Sequence, residues 1–258
     1  MAQDKELTYK KLFQLWESKD INVLETKGMK YAIFSDLHLG DGGNADDFFH
    51  NEETLETALT FYNKNDYRLI LLGDTEELWQ FDLNQVIKRY DNSVYKKMRE
   101  FGNARVYRVF GNHDYEWCAP DDPVMKNPEK HKGAPEALKM KNSNGEVKIL
   151  LVHGHQGSID SDKNSWISRF LVRGVFKPFE PIAKFLKLYG HPSATKSQVT
   201  TDYEQIMYTW AKKEKVILIC GHSHRAIFAS KSYADRLEDE IAELQADNLA
   251  HRTEKKRV

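Results

Sequence analysis

Five short aliphatic and β-branched runs punctuate the chain: Tyr31 to Phe34, Leu69 to Leu72, Val106 to Phe110, Val147 to Val152 and Val216 to Cys220. Near-continuous apolar runs of this length are the pattern of strands buried on both faces. Between them apolar residues return at helical spacing, as at Leu55, Leu59 and Tyr62 or at Val86, Tyr90, Val94 and Met98. Strands alternating with helices predict an α/β fold. Leu12, Phe13, Leu15 and Trp16 predict an amphipathic helix over 8–18, laid against the outside. Between Ala119 and Asn144 the chain carries Pro120, Pro123, Pro128, Pro135 and Gly133 with many charges and little periodicity. A long surface excursion is expected there, ending in a turn at Asn144-Gly145.

The polar residues fall in a telling place. Each predicted strand is followed at once by a small cluster able to bind a metal: Ser35-Asp36-Leu37-His38, Gly73-Asp74, Gly111-Asn112-His113-Asp114, His153-Gly154-His155 and Gly221-His222-Ser223-His224. In α/β sheets the carboxyl ends of strands are where sites are built, because the loops there converge on one crevice. The separations agree: 38 residues from Asp36 to Asp74, 38 to Asn112 and 41 to His153, a near-regular strand-helix-strand repeat. The next step, to His222, is 69 residues, and an insertion over about 156–213 supplies the excess.

Composition narrows the class. The 258 residues carry 40% apolar and 30% charged side chains, enough for a sizeable core under a solvated surface. A net charge of −1 removes the footprint of a dedicated duplex-DNA or anionic-membrane binder. Cys118 and Cys220 are too few for a disulfide framework. The first 28 residues hold no uncharged apolar stretch of signal-peptide length, so a cytoplasmic location is expected.

Oxygen and imidazole donors mixed at one site suit Mn, Fe(II) or Zn, whereas Ca and Mg prefer oxygen alone. Six of the ten histidines, His38, His113, His153, His155, His222 and His224, sit in these clusters. His50, His131, His191 and His251 do not and read as surface residues. Asp-x-His, Gly-Asp, Gly-Asn-His-Asp, His-Gly-His and Gly-His-Ser-His, in this order from Asp36 to His224, resemble the five-motif signature of the calcineurin-like metallophosphoesterases. The resemblance implies a pair of packed mixed sheets flanked by helices, and two divalent metal ions, Mn2+ in the first place with Fe2+ or Zn2+ as alternatives. Asp36, His38, Asp74 and His224 would hold one ion, and Asp74, Asn112, His153 and His222 the other, with Asp74 bridging. His113 would stand beside the metals as the protonating group, with Asp114 behind it. Two cations ~3.5 to 4 Å apart depress the pKa of a shared water and clamp the attacking and leaving oxygens at phosphorus.

Protein phosphatases of this superfamily carry Gly-Asp-x-x-Asp-Arg-Gly, whereas here Gly73-Asp74 continues as Thr75-Glu76-Glu77-Leu78-Trp79. Gly-Asp-x-x-Glu-x-Trp and Asp-x-His-Leu are instead similar to the UDP-diacylglucosamine pyrophosphohydrolase branch. Glu77 and Trp79 are candidates to line the site, with core packing the alternative for Trp79. Asp41-Gly42-Gly43 reads as a tight loop approaching the metals, with Asp41 itself not expected to be a ligand.

In the insertion, Trp166, Ile167, Phe170, Leu171 and Val175 form an apolar stripe, while Arg169, Arg173 and Lys177 recur on another face. Pro178 and Pro181 interrupt this helix, and Ile182, Phe185, Leu186 and Tyr189 start a second. One reading is a helical lid whose Arg169 or Arg173 meets a substrate phosphate and whose groove takes a lipid or base. The other is a stripe that packs on the sheet. After His224, Leu237, Ile241, Leu244 and Asn248 predict a charged helix over about 231–250, either solvated or a dimer seam. Relatives usually return there with further strands, so the sequence is expected to stop inside an insertion.

The combined expectation is a single metallophosphoesterase domain over 1–258. It would cleave a phosphodiester or pyrophosphate in a small nucleotide- or lipid-linked substrate by metal-hydroxide in-line attack. A metal-dependent nuclease and a non-catalytic scaffold of the same fold are the alternatives. No stable nucleic-acid complex and no transmembrane segment are expected, with peripheral membrane contact through the insertion left open.

Overall fold

In the computed structural model, residues 5–118, 133–157 and 198–224 are described. The chain divides into compact units at His224, and all described residues belong to the first. Three parallel strands, β2 (Lys30–Phe34), β3 (Tyr67–Leu72) and β4 (Val106–Val109), form one sheet in the order β2-β3-β4. The other sheet has the order β1-β5-β6-β7, from β1 (Val23–Leu24), β5 (Ala137–Lys141), β6 (Val147–Val152) and β7 (Ile217–Ile219). Its β5-β6 pair is antiparallel and the rest parallel, so this sheet is mixed. The expected pair was of two mixed sheets; the first is parallel throughout its described strands.

Side-chain alternation along the strands builds four layers. Ile70 and Leu72 of β3 join Val109, Leu24, Leu138, Met140 and Leu151 in a core between the two sheets. Leu69 and Leu71, one residue out of phase, face the opposite way. They pack with Leu55 and Leu59 of α2 (Glu52–Lys64), Val86 and Tyr90 of α3 (Leu83–Tyr90), and Val94 and Met98 of α4 (Val94–Glu100). On the far side Leu150 and Val152 meet Leu12 of α1 (Lys5–Glu17) and Tyr203, Met207 and Trp210 of α5 (Gln198–Glu214). Among the described residues, two sheets flanked by five helices are the α/β architecture expected.

The differences are local. The period of four from Val86 to Met98 is carried by two helices, broken at Asp91–Ser93, where Ser93 leaves helical geometry at ψ −101°. All four of those apolar residues are buried regardless. Part of the expected surface excursion is strand β5, with Ala137, Leu138, Lys139 and Met140 buried. Buried Lys139 donates to the Trp16 and Ser18 carbonyls at the carboxyl end of α1, where a cation is favoured. The predicted turn is present: Asn142 Oδ1 accepts from the Asn144 and Glu146 amides at 3.0 and 2.9 Å and reverses β5 into β6. The carboxyl end of the expected insertion is α5, whose buried face is part of the core. The lid stripe, Arg169 and Arg173, and the helix expected over 231–250 lie outside the described residues, as do His131, His191 and His251.

Candidate metal centre

Because β2, β3 and β4 are parallel, their carboxyl ends deliver Asp36, Asp74 and Asn112 to the same edge. Backbone bonds continue past the strands: Asp36 N–H to the Gly73 carbonyl at 3.1 Å, His38 N–H to Asp74 at 3.0 Å and Leu78 N–H to His113 at 3.1 Å. From the other sheet, Gly221 N–H donates to the His153 carbonyl at 2.8 Å, aligning the ends of β6 and β7. Glycine permits this crowding. A Cβ at Gly111 would lie 2.1 Å from Asp74 Oδ1, and one at Gly221 2.1 Å from Ser35 Oγ. The glycine in each motif is therefore there for close approach of backbone to ligand.

The expected ligands meet. Asp36, His38 and His224 offer donor atoms that all lie within 4.8 Å of one another, and so do Asp74, His153 and His222. His38 Nε2 faces His224 Nε2 at 3.2 Å, and His224 Nε2 is 3.3 Å from Asp36 Oδ1. Asp74 Oδ2 lies 2.9 Å from His153 Nε2 and 4.0 Å from His38 Nε2, and so stands between the two groups. The His222 amide donates to the Asp36 carboxylate at 3.0 and 3.1 Å. His153 gives its Nδ1 hydrogen to the Leu72 carbonyl at 3.0 Å, which fixes the tautomer and leaves the Nε2 lone pair facing the site.

The electrostatics concentrate charge at this point. Burial opposes the ionisation of Asp74, but His153, His113 and His38 outweigh it and hold the carboxyl well below the usual range. Asp36 is likewise buried, yet its bond to His224 and the charge of His153 bring it down to about 2. Burial works against a charged His153 too, but Asp74 and Asp36 raise it to about 9. Burial and the neighbouring His153 charge push His222 down to about 4. Carboxylates that stay ionised beside imidazoles competing for protons make the arrangement one that cations would stabilise.

One atom tests whether metals fit. Asn112 Oδ1 is buried and has no hydrogen-bond partner. A buried acceptor without a donor costs ~1 to 3 kcal/mol, so it calls for an electrophile at the site, and His153 Nε2, 2.9 Å from Asp74 Oδ2, faces the same point. The donors are nitrogen and oxygen with no sulfur, a set that suits divalent Mn, Fe or Zn. A family model described as calcineurin-like phosphoesterase matches residues 29–226. The chain belongs to the calcineurin-like phosphoesterases. It is therefore a metal-dependent phosphoesterase, and no curated protein matches it closely.

Around the ligands, the phosphoesterase site differs from expectation in one role. The carboxylate that holds His113 is Glu77, not Asp114. Glu77 accepts from His113 Nδ1 at 2.9 Å and from His38 Nδ1 at 2.9 Å. Burial resists its charge, but the two imidazoles bring Glu77 down to about 2. Asp114 instead accepts from the Thr75 and Gly111 amides at 2.8 and 2.6 Å and ties the β3 and β4 loops together. Its full burial and the Asp74 and Glu76 charges raise it to about 7. Trp79 stacks on His113, and Asp41 bonds only within its own loop, to the Gly43 amide at 2.9 Å. His155 is buried beside His153, and burial together with the His153 and His222 charges keeps it well below its usual value.

Two supporting groups of this phosphoesterase were missed. Glu76, fully buried, accepts from Arg108 Nη1 and Trp117 Nε1, each at 2.7 Å, and from Tyr95 Oη at 2.9 Å. Tyr203 of α5 donates its hydroxyl to the Gly154 carbonyl and packs edge-on against His222 at 5.6 Å between centroids. A Glu-Glu pair after the Gly-Asp motif was the available signal for the first; the second had none. Among the described residues no helix is long and apolar enough to cross a membrane.

Proposed function

We propose that the chain is a dinuclear phosphohydrolase in which Asp36, His38, Asp74 and His224 hold one divalent ion and Asp74, Asn112, His153 and His222 the other. The observation that carries this reading is Asp74 Oδ2 standing between two donor groups, with Asn112 Oδ1 buried beside them and without a hydrogen-bond partner. Bound cations would supply Lewis acidity toward the phosphoryl oxygens and a water acidic enough to ionise near neutrality.

The chain's own residues do the rest. Glu77 holds the Nδ1 hydrogen of His113, so a protonated ring carries its second hydrogen on Nε2. That hydrogen passes to the leaving oxygen as its bond to phosphorus breaks. Glu77 holds His38 in the same tautomer, keeping its Nε2 for coordination. Manganese is the proposed native metal, on the mixed nitrogen and oxygen donors.

The substrate class we infer is a phosphodiester or pyrophosphate in a small molecule. Glu77-Leu78-Trp79 in place of the protein-phosphatase Asp-Arg-Gly supports it, and a net charge of −1 weighs against a nuclease. For a second phosphate, Arg169 or Arg173 is the proposed contact, on their recurrence along one face of the insertion's sequence pattern.

The test is a Mn-supplemented panel of monoester, diester, nucleotide-sugar, lipid-linked pyrophosphate and single-stranded DNA substrates, run beside Asp74→Ala and His113→Ala. Asp74→Ala should lose both activity and bound metal. His113→Ala should keep bound metal and lose turnover on poor leaving groups by ~10²-fold or more. Cleavage of DNA alone would replace the small-molecule reading, and metal loss in His113→Ala would make that residue a ligand.

A further inference from the structure

We propose that Trp79 is a positioning residue that sets the proton-donating geometry of His113 by gripping the peptide unit between Asn112 and His113; the inference rests on the role of His113 proposed above. Trp79 Nε1 donates to the carbonyl of Asn112 at 2.7 Å. The amide of the same peptide unit, His113 N–H, donates to Asp74 Oδ1 at 2.8 Å. One planar group is thus held at both ends, by the indole on one side and by the central carboxylate of the site on the other. Bonds in series through a peptide polarise one another, so the grip tightens where Asp74 is charged.

The indole also acts on the side chain. Its ring lies 4.0 Å from the His113 ring at an interplanar angle of 17°, a parallel stack. An imidazole side chain has two torsions; the Glu77 bond at Nδ1 fixes where the ring edge lies, and the indole face fixes the plane. Three consecutive residues therefore hold the β4 loop: Glu77 by its carboxylate, Leu78 by its amide and Trp79 by its ring and N–H. Trp79 is half-buried, whereas Trp117 and Trp210 lie in the core at 2% and 1% exposure. Its polar hydrogen goes to the backbone carbonyl of one expected ligand and its face to the expected acid. Packing alone requires neither.

The experiment uses the metal-loaded full chain and aryl phosphodiesters whose leaving groups run from p-nitrophenol to unsubstituted phenol. Trp79→Leu should lower kcat on the phenyl ester by about tenfold or more and on the nitrophenyl ester by about twofold at most, with KM unchanged. Trp79→Phe keeps an aromatic face and should fall between. In the His113→Ala background, Trp79→Leu should cause no further loss on the phenyl ester. The His113 ring protons should be shifted upfield by the indole ring current in the parent protein and lose that shift in Trp79→Leu. Equal loss along the leaving-group series, or full loss persisting without His113, overturns the positioning role while leaving the acid role intact. If His113→Ala itself shows no leaving-group dependence, the acid role fails first and this inference with it. An unchanged ring-proton shift in Trp79→Leu overturns the stack directly.

Discussion

Glu76 and Glu77 are neighbours in sequence with opposite tasks, and replacing each by glutamine separates them. Glu76 is fully buried and pairs through both oxygens with Arg108, which is 9% exposed and lies over the Trp117 ring at 4.0 Å. Glu76→Gln keeps the volume and removes the charge, leaving the buried Arg108 guanidinium with its bidentate partner gone and the Asp114 carboxylate at 4.0 Å. Breaking a buried pair from one side costs ~3 to 5 kcal/mol, a large part of the ~5 to 15 kcal/mol that holds an ordinary domain together. For a chain of this size that corresponds to a fall in Tm of roughly 10 °C. Urea denaturation of the metal-free protein, followed by tryptophan fluorescence, measures it without interference from ligand binding. Glu77→Gln, by contrast, leaves no buried cation behind and should cost ~1.5 to 3 kcal/mol in the same assay while removing most activity. The double variant Glu76→Gln/Arg108→Met, which removes the buried cation as well, should recover part of the loss. If Glu76→Gln lies within ~1 kcal/mol of the parent, or the double variant is the less stable of the two, the pair is not what holds the β3 and β4 loops together.

Gly111→Ala places a methyl 2.1 Å from Asp74 Oδ1, so bound metal measured by elemental analysis should fall sharply even where circular dichroism shows the fold retained; full metal occupancy would mean the loop yields at little cost. Glu77 should leave a signature in the pH dependence of stability. Its folded pKa of about 2 lies below the ordinary glutamate value of 4.5, so its contribution is complete above about pH 4.5 and is lost as pH falls toward 2. The stability difference between metal-free parent and Glu77→Gln should therefore shrink as pH is lowered from about 5 to about 3. A constant difference over that range would contradict the bonds to His38 and His113.

What the sequence disclosed was whatever the chemistry forces into a particular residue type. The expected ligands are Asp, Asn and His residues that follow strands, so Asp36, Asp74, Asn112, His153 and His222 stand out beside their apolar runs. The period of four from Val86 to Met98 survives a break because both helices turn the same face to the sheet. Strand β5 stayed hidden because Lys139 and Lys141 interrupt its apolar pattern, and the first of these is buried to cap α1. The partner of His113 was expected at Asp114 because adjacency in sequence stood in for adjacency in space. Asp114 adjoins His113 along the chain, but its carboxylate reaches back to the Thr75 and Gly111 amides, while Glu77 arrives from the loop after β3.

Backbone geometry adds a constraint that residue types do not announce. Among the described residues, seven other than glycine have positive φ, and five of them are expected ligands: Asp36 at 56°, His38 at 52°, Asp74 at 50°, His222 at 70° and His224 at 52°. Each left-handed residue costs of order 1 to 2 kcal/mol, so together they oppose folding by an amount comparable to a domain's net stability. The opposing contributions come from the backbone of the site loops and from the framework around them. They are the amide-to-carbonyl bonds that prolong the sheet edges, the buried Glu76-Arg108 pair, the Asp114 tie between two loops and the Tyr203 hydroxyl on Gly154. Left-handed positions in the loops after β2, β3 and β7 take these residues out of the strands' alternation. The four-layer core thus does more than enclose apolar surface: it holds five expected ligands in conformations they would leave if released.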